Sequence, residues 1–365
     1  MTLTRLDIRG VRNLREVSLR GLGRINILFG DNGSGKTSVL ESIHLLGMGR
    51  SFRTSHIKPV ITHDVESCTV YGETSSAGGL KGTIGVSRDR SGSLDARLQG
   101  SRAEGRAALA ESLPLQVIHA DSFEILTGGP IERRHFMDWG VFHVEHQFLE
   151  TWQRFQKAIK QRNNLLRRGK ISTNELLPWE QEMARAGEAI DAARRSYIES
   201  LSPHFLALLE ELAPGLKRSE LRYRRGWDKD ASLLQALESG RDTDIQQGFT
   251  HAGPQRADIR VTVEGRSVAD SLSRGQLKLV VCALKLAQGR ALQATQGTRC
   301  VYLVDDLTAE LDRNHCQRVA AILEELGAQV FITCIEKQEV MEIWPGQDVR
   351  DRTMFHVEHG NISSA

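Results

Sequence analysis

Eight consecutive residues of this sequence have the types and the spacing of a phosphate-binding loop. They follow the order glycine, four variable residues, glycine, lysine and threonine, and they are Gly30, Asp31, Asn32, Gly33, Ser34, Gly35, Lys36 and Thr37. Glycines allow backbone N–H groups to point at an anion, and a helix N-terminus adds a partial positive charge. In such loops the lysine bridges the β- and γ-phosphates, and the hydroxyl coordinates Mg²⁺. We therefore predict that residues 30–38, ending at Ser38, bind a nucleoside triphosphate, with Thr37 as a ligand of Mg²⁺.

The residues on either side of this loop predict the elements that position it. An apolar run, residues 25–29, precedes the loop and is typical of a buried strand. Residues from Thr37 to Leu46 have the composition of a helix. A strand, a glycine turn and a helix in this order are the structural context in which the pattern forms a nucleotide site.

A second apolar run, residues 301–304, ends in two carboxylates, Asp305 and Asp306. Continuous apolar runs are typical of parallel strands covered on both faces, and such sheets bind ligands at the carboxyl ends of their strands. We predict that Asp305 holds Mg²⁺, directly or through water. Asp306 is predicted to polarise the attacking water.

The long segment between these two strands has the periodicity of amphipathic helices. Apolar residues recur at intervals of three and four from Phe148 to Ile159, and again from Met183 to Leu212. A polar turn near residues 168–170 separates the two stretches. We predict two long helices that form an antiparallel arm inserted into a nucleotide-binding domain, with Pro203 kinking the second helix or starting a new one. Residues 60–100 are expected to form an antiparallel sheet.

The expected organisation is therefore α/β, a P-loop head with an inserted, mostly helical arm. We place the first part of the head at 1–125, the arm at 126–240 and the second part of the head at 241–365. The hydrophobic content is 40%, the charged content is 26% and the net charge is +2, all ordinary for a soluble protein. The five cysteines are widely spaced and no apolar run approaches the length of a membrane span, so we expect a cytoplasmic protein without a membrane partner.

One further element resembles ABC-type ATPases. The segment Leu272-Ser273-Arg274-Gly275-Gln276 precedes an apolar helix and lies shortly before the strand that ends at Asp305. The resemblance implies that Ser273, Gly275 and Gln276 contact the γ-phosphate held by an opposing subunit. It also implies that Asp312 lies in a loop that crosses the interface. Each subunit would then hold half of two sites, and ATP would stabilise a two-fold dimer.

Three longer segments, together with those above, make the whole chain similar to the RecF family of bacterial recombination mediators. These segments are residues 47–53, 128–139 and 250–258. The resemblance implies an ABC/SMC-like ATPase head with a short arm that binds ATP, single-stranded and duplex DNA and gap junctions. It implies that the protein works with RecO and RecR, and indirectly with RecA. Residues 119–121 depart from a loop that commonly contains proline, which leaves the Q-loop residue open, with Asp121 as one candidate.

The opening of the arm is basic. Residues 131–170 hold nine Lys or Arg and four acidic residues, a local charge of +5. Such charge favours a phosphate backbone through release of counterions, although it is also compatible with a merely solvated helix face. The candidate DNA contacts are Arg133, Arg134, Lys157, Lys160, Arg162, Arg167, Arg168 and Lys170.

Two other functions use the same phosphate loop. One is an ABC-type ATPase subunit that drives a membrane or other partner, and stimulation of hydrolysis by DNA would argue against it. The other is a kinase for a small acceptor, for which the segment around Ser273 has no use. The repeated sequence Phe-His-Val-Glu-His, at 142–146 and 355–359, does not match a zinc motif, and we expect no metal there.

Overall fold

The structure is a computed structural model that describes residues 2–76, 78–168, 172–344 and 352–365. The strands are β1 (Thr2–Val11), β2 (Leu14–Arg20), β3 (Ile25–Phe29), β4 (Ser67–Ser75), β5 (Lys81–Asp89), β6 (Leu94–Leu98), β7 (Ser101–Arg102), β8 (Leu115–Ile118), β9 (Ser219–Arg224), β10 (Asp258–Val263), β11 (Arg266–Ser267), β12 (Val301–Val304), β13 (Gln329–Cys334), β14 (Arg352–Glu358) and β15 (Asn361–Ser364). The helices are α1 (Lys36–Met48), α2 (Arg106–Ser112), α3 (Glu124–Thr127), α4 (Pro130–Val144), α5 (Phe148–Leu166), α6 (Thr173–Leu212), α7 (Leu233–Ser239), α8 (Arg241–Gln247), α9 (Val268–Ser271), α10 (Arg274–Gln296), α11 (Leu307–Glu310), α12 (Arg313–Glu325) and α13 (Lys337–Ile343).

The chain divides into two compact units. The first combines Met1–Ser122 with Lys278–Ala365, and the second is Phe123–Leu277. The first unit is thus assembled from two segments far apart in sequence. The second unit is continuous in sequence and contains both long helices.

Two sheets build the first unit. One is antiparallel, with the strand order β2-β1-β4-β5-β6-β7, as expected for residues 60–100. Its strands alternate between buried and exposed residues, because one face packs on a core and the other faces solvent. The second sheet has the order β15-β14-β3-β13-β12-β8, and its strands from β14 to β8 are parallel.

The parallel sheet positions the predicted site. Its central strands are buried along almost their whole length, which explains their continuous apolar runs. Strands β3 and β12 flank β13, and all three run in the same direction. Their carboxyl ends therefore meet at one edge, where the loop after β3 and the carboxylates after β12 come together.

The second unit is built on the two long helices that the periodicity predicts, α5 and α6. A single helix continues through Pro203, so no new helix begins there. The helix α6 starts with a capping box in which the side chains of Ser172 and Glu175 pair with each other's backbone. This unit also contains a three-stranded antiparallel sheet in the order β11-β10-β9 and the helices α3, α4 and α7–α9. Within the described ranges, no helix is both long enough and apolar enough to span a bilayer.

Candidate nucleotide-binding site

The backbone of the phosphate loop takes conformations that favour glycine. The φ angles are 143° at Gly30, 78° at Gly33 and 123° at Gly35, all in the range that L side chains rarely adopt. A Cβ atom on Gly30 would also lie only 2.2 Å from the carbonyl oxygen of Val357. The loop therefore combines left-handed turns with a close backbone approach, as a phosphate-binding loop requires.

Lys36 is the buried cation of this loop. Its ammonium donates to the carbonyl oxygens of Gly30, at 2.7 Å, and Asp31, at 2.9 Å. The residue is 6% exposed, and within the described part of the chain its ammonium has no carboxylate within ion-pair distance. Since a buried charge is costly without a counter-ion, this ammonium is suited to receive a polyphosphate.

The carboxylate of Asp305 lies beside the first turn of α1. Thr37 Oγ1 is 3.0 and 3.1 Å from its two oxygens, and Thr333 Oγ1 donates to Oδ1 at 2.8 Å. Hydroxyl and carboxylate oxygens are the ligands that Mg²⁺ prefers. The residues predicted as metal ligands are thus brought together, and Thr37 and Asp305 fit a magnesium ion.

Burial raises the pKa of Asp305, and the hydrogen bonds from Thr333 and Thr37 partly oppose this shift. The charge of the neighbouring Asp306 raises the pKa further, to a smaller extent. The negative charge of this carboxylate is therefore unfavourable where it lies. A bound cation would relieve that cost.

Asp306 has a backbone conformation of its own. Its φ is 51°, and its N–H donates to Thr333 Oγ1 at 2.9 Å, which turns the chain sharply at the end of β12. Asp306 and Asn32 line a cavity of about 380 Å³. Asp306 therefore borders a space that can hold water, in keeping with the role predicted for it. Thr333, which contacts both aspartates, was not found from the sequence because no motif surrounds it.

The segment before α10, in the second unit, caps that helix. The N–H of Ser273 donates to Gln276 Oε1 at 3.0 Å, and the N–H of Gln276 lies 3.3 Å from Ser273 Oγ. Both residues are exposed, and a Cβ on Gly275 would meet no atom within 4 Å. This helix N-terminus is open to an anion or to a second molecule.

Two more of the predicted residues are exposed. Asp312 caps α12, where its side chain accepts from the N–H of His315 at 3.0 Å, and this hydrogen bond lowers the pKa of Asp312. Asp121 lies in a turn at residues 120–123, 3.8 Å from the imidazole of His119. Neither residue is fixed by burial, so both are available at the surface of the first unit.

Four of the candidate DNA contacts are exposed along the arm. Lys157 and Lys160 are exposed on α5, and Arg167 and Arg168 are exposed just beyond its end. No acidic residue occurs between residues 151 and 170. Lys170 lies outside the described residues. We call the four described cations the basic face.

The remaining described candidates, one buried and two half-buried, are all engaged by partners within the second unit. Arg162 is 0% exposed and pairs with Glu180, at 3.0 Å, and Asp244, at 2.6 Å. Arg133 makes a two-pronged pair with Asp258, and Arg134 donates to the carbonyl of Ala257. Because its charge is buried and paired, Arg162 does not present a cation to DNA, which corrects the expectation from the charge run.

Comparison with known proteins agrees with this geometry. The family model described as "RecF/RecN/SMC N terminal domain" matches residues 2–358. The "DNA replication and repair protein RecF" of Pseudomonas aeruginosa (strain LESB58) is 51% identical over 363 residues, which cover 100% of this chain and 98% of that protein. The RecF of Pseudomonas syringae pv. tomato (strain ATCC BAA-871 / DC3000) is 50% identical, with the same coverage.

Solved structures are also similar. The "recombination mediator protein RecF-ATPrS in RecFOR pathway" has a TM-score of 0.87 and 25% identity, covering 100% of this chain and 98% of that one. An Smc head domain from Pyrococcus furiosus has a TM-score of 0.57 at 16% identity, covering 100% of this chain and 95% of that one, and this shows the fold alone. The predicted class, an ABC/SMC-like ATPase head with an inserted helical arm, is confirmed. The chain belongs to the RecF family, within the group defined by the RecF/RecN/SMC N-terminal domain.

Proposed function

We propose that this protein is an ATP-dependent, DNA-binding ATPase of DNA replication and repair. The observation that carries the proposal is the convergence of Lys36, Thr37 and Asp305 at one edge of the parallel sheet. A solved relative is described as RecF-ATP in the RecFOR pathway, and its similarity to this chain supports ATP as the nucleotide.

The residues have distinct roles in this proposal. Lys36 and the N–H groups of residues 30–38 hold the phosphates, and Thr37 and Asp305 hold Mg²⁺. When bound, Mg²⁺ neutralises charge on the phosphates and makes the terminal phosphoryl group more reactive. Asp306 orients the attacking water in the cavity that it borders. The exposed cap around Ser273, Gly275 and Gln276 completes the site of a second copy.

On this proposal ATP binding closes a dimer on DNA, and slow hydrolysis opens it again. The protein would act at single-strand gaps with RecO and RecR and help them to load RecA. The curated relatives, which are named for DNA replication and repair, support this setting. Hydrolysis then sets how long the dimer stays closed and does not serve as a metabolic reaction.

Steady-state ATP hydrolysis against protein concentration, with and without gapped duplex DNA, tests the proposal. We expect the rate to rise more than linearly with protein and to rise further with DNA, because each site needs two chains. A rate that is strictly linear in protein and unaffected by DNA would overturn both the shared site and the DNA role.

The variant Lys36→Met tests the nucleotide site itself. It removes the buried ammonium while keeping an unbranched side chain, so we expect ATP binding to be lost and the fold to remain. Equilibrium binding of a fluorescent ATP analogue measures the first, and circular dichroism measures the second. Undiminished binding by this variant would place the nucleotide elsewhere.

A further inference from the structure

The turn between β14 and β15 contacts the phosphate loop. The N–H of Gly360 donates to the carbonyl oxygen of Ser34 at 2.8 Å. The turn is tight, with φ angles of 47° at His359 and 81° at Gly360. Immediately before it, the carbonyl of Val357 lies against Gly30. The hairpin β14–β15 therefore contacts the phosphate loop at two points, Gly30 and Ser34.

The turn between β1 and β2 contacts the same carbonyl from another direction. Asn13 Nδ2 donates to the carbonyl oxygen of Ser34 at 2.9 Å, and Asn13 Oδ1 accepts from Ser38 Oγ at 3.0 Å. The preceding residue, Arg12, makes a two-pronged pair with Glu41, which is fully buried in α1. This pair fixes the turn that presents Asn13.

The two turns also contact each other, so their positions are coupled. A Cβ on Gly360 would lie 2.3 Å from the carbonyl oxygen of Asn13. A Cβ on Gly35 would lie 3.0 Å from Asn13 Nδ2. A side chain at position 360 would clash with the backbone of Asn13, and at position 35 the φ of 123° and the closeness of the Asn13 side chain both favour glycine.

These contacts determine the direction of one peptide group. A carbonyl oxygen has two lone pairs, and that of Ser34 receives one donor from each turn. The C=O and N–H of a trans peptide are coplanar and point in opposite directions. Holding the Ser34 oxygen against the two turns therefore aims the N–H of Gly35 away from them, as a donor for an anion.

We propose that Asn13 and Gly360 are positioning residues of the nucleotide site, because together they fix the peptide between Ser34 and Gly35. The inference rests on the proposed ATP binding at this loop. It also gives the second Phe-His-Val-Glu-His sequence a role. Phe355 and Val357 are buried, and the ring of His356 lies 5.1 Å from that of Phe29, so the segment seats the hairpin next to the loop.

The variants Gly360→Ala and Gly100→Ala form a matched pair for the test. Their φ angles are 81° and 80°, but an added methyl group at Gly100 meets no atom within 4 Å. Both substitutions therefore place a side chain at nearly the same positive φ, and only the first pushes against Asn13. The measurements are affinity for a fluorescent ATP analogue, the thermal midpoint without nucleotide, and hydrogen exchange of the amides of residues 33–37.

We expect Gly360→Ala to weaken ATP binding at least about tenfold and to speed exchange in the loop, since small misplacements of binding groups have large effects. Gly100→Ala should leave both unchanged while lowering the thermal midpoint. Equal ATP affinity and equal loop exchange in the two variants would overturn the proposal, whatever their stability. A wild type that does not bind ATP would refute the proposed function, and the exchange measurement would still decide on the positioning role.

The variant Asn13→Asp gives a second test if Gly360→Ala does not fold. It keeps the size and the Oδ1 acceptor of Asn13 but replaces the donor to Ser34 with an oxygen. We expect weaker ATP binding and faster loop exchange. In the double variant with Gly360→Ala, Asn13→Asp should weaken ATP binding by less than it does alone, because both substitutions act on the same peptide group. Unaltered binding and exchange in Asn13→Asp would contradict the inference.

Discussion

At the scale of single residues, Asp305 is subject to two opposing requirements. The proposed role in holding Mg²⁺ requires a carboxylate, yet burial raises the pKa of Asp305. An ionised group whose pKa is raised by folding destabilises the folded state once the pH exceeds its unfolded pKa. The nucleotide-free protein thus carries a cost at neutral pH that a cation can remove.

We expect Asp305→Asn to stabilise the nucleotide-free protein at neutral pH while weakening Mg²⁺ binding. The unfolded chain loses this proton near the ordinary value of 3.8, and the folded protein keeps it to higher pH. Wild-type stability therefore falls as the pH rises through this window, and the advantage of the variant grows. Urea unfolding across this pH range measures the effect.

Asp312→Asn is the control for that prediction. This exposed carboxylate has a lowered pKa, so removing its charge should give no such stabilisation. A stability difference between Asp305→Asn and wild type that does not change with pH would contradict the expected origin of the cost.

Arg162 shows what a charge count misses. Along α5 the buried residues Phe155, Ala158, Arg162 and Leu166 follow one another at intervals of three and four, so Arg162 falls on the apolar face. That register was visible in the sequence. The charge run concealed it, because the count of basic residues does not distinguish the two faces of a helix.

We expect Arg162→Leu to destabilise the protein by about 3–5 kcal/mol, because it leaves Glu180 and Asp244 buried with fewer partners. The exposed neighbour Arg168 provides the control, and Arg168→Leu should change stability by less than about 0.5 kcal/mol. Denaturant unfolding measures both. Equal effects of the two variants would show that the buried pairs do not stabilise the arm.

At the scale of elements, the basic face is the part of the arm suited to a phosphate backbone. The double variant Lys157→Ala/Lys160→Ala should weaken duplex binding and reduce the slope of log affinity against log salt by about 0.9 for each lost contact. Fluorescence anisotropy at several salt concentrations measures the slope.

The matched control for the basic face is Arg9→Ala/Arg15→Ala. These two cations are exposed on the first unit and already paired with Glu16 and Asp64, and their removal changes the net charge by the same amount. If the slope of log affinity against log salt fell in this control and stayed unchanged in the α5 variant, the DNA would bind the first unit and not the basic face.

The repeated pentapeptide shows why element type cannot be derived from local sequence alone. In the first copy Phe142, His143 and Val144 end the helix α4, while in the second Phe355 to Glu358 lie in the strand β14. The first copy continues a helix begun by Pro130. The second pairs with β3, and this pairing across the chain decides the outcome.

At the scale of the whole molecule, the proposal of a site shared by two chains predicts that Ser273 is required for association but not for ATP binding by one chain. We expect Ser273→Ala to keep ATP affinity and to lose ATP-dependent dimerisation, measured by sedimentation. Ser232→Ala is the control, because Ser232 and Gln235 form the same kind of cap on α7. Loss of dimerisation in both variants would indicate a general effect of the cap.

Some elements could be predicted because a short stretch of sequence is enough to specify each one: the phosphate loop, the strand ending at Asp305 and the two arm helices. The partners that shape the loop could not. Thr333 reaches Asp305, and Gly360 reaches the loop, because β13 and β14 pair with β3, which is distant in the chain. Asn13 reaches the loop from the turn between β1 and β2, which belong to the other sheet. Sequence reasoning thus finds the groups that do chemistry more readily than those that hold them in place.

The contact between Ser34 and Gly360 also sets an order of events during synthesis. The ribosome makes the phosphate loop early and residue 360 on the order of tens of seconds later, at about 5–20 residues per second. Until then the loop lacks one of its two anchoring turns. On the proposed role of Gly360, a nascent or prematurely terminated chain would therefore gain less stabilisation from ATP than a chain translated as far as that glycine.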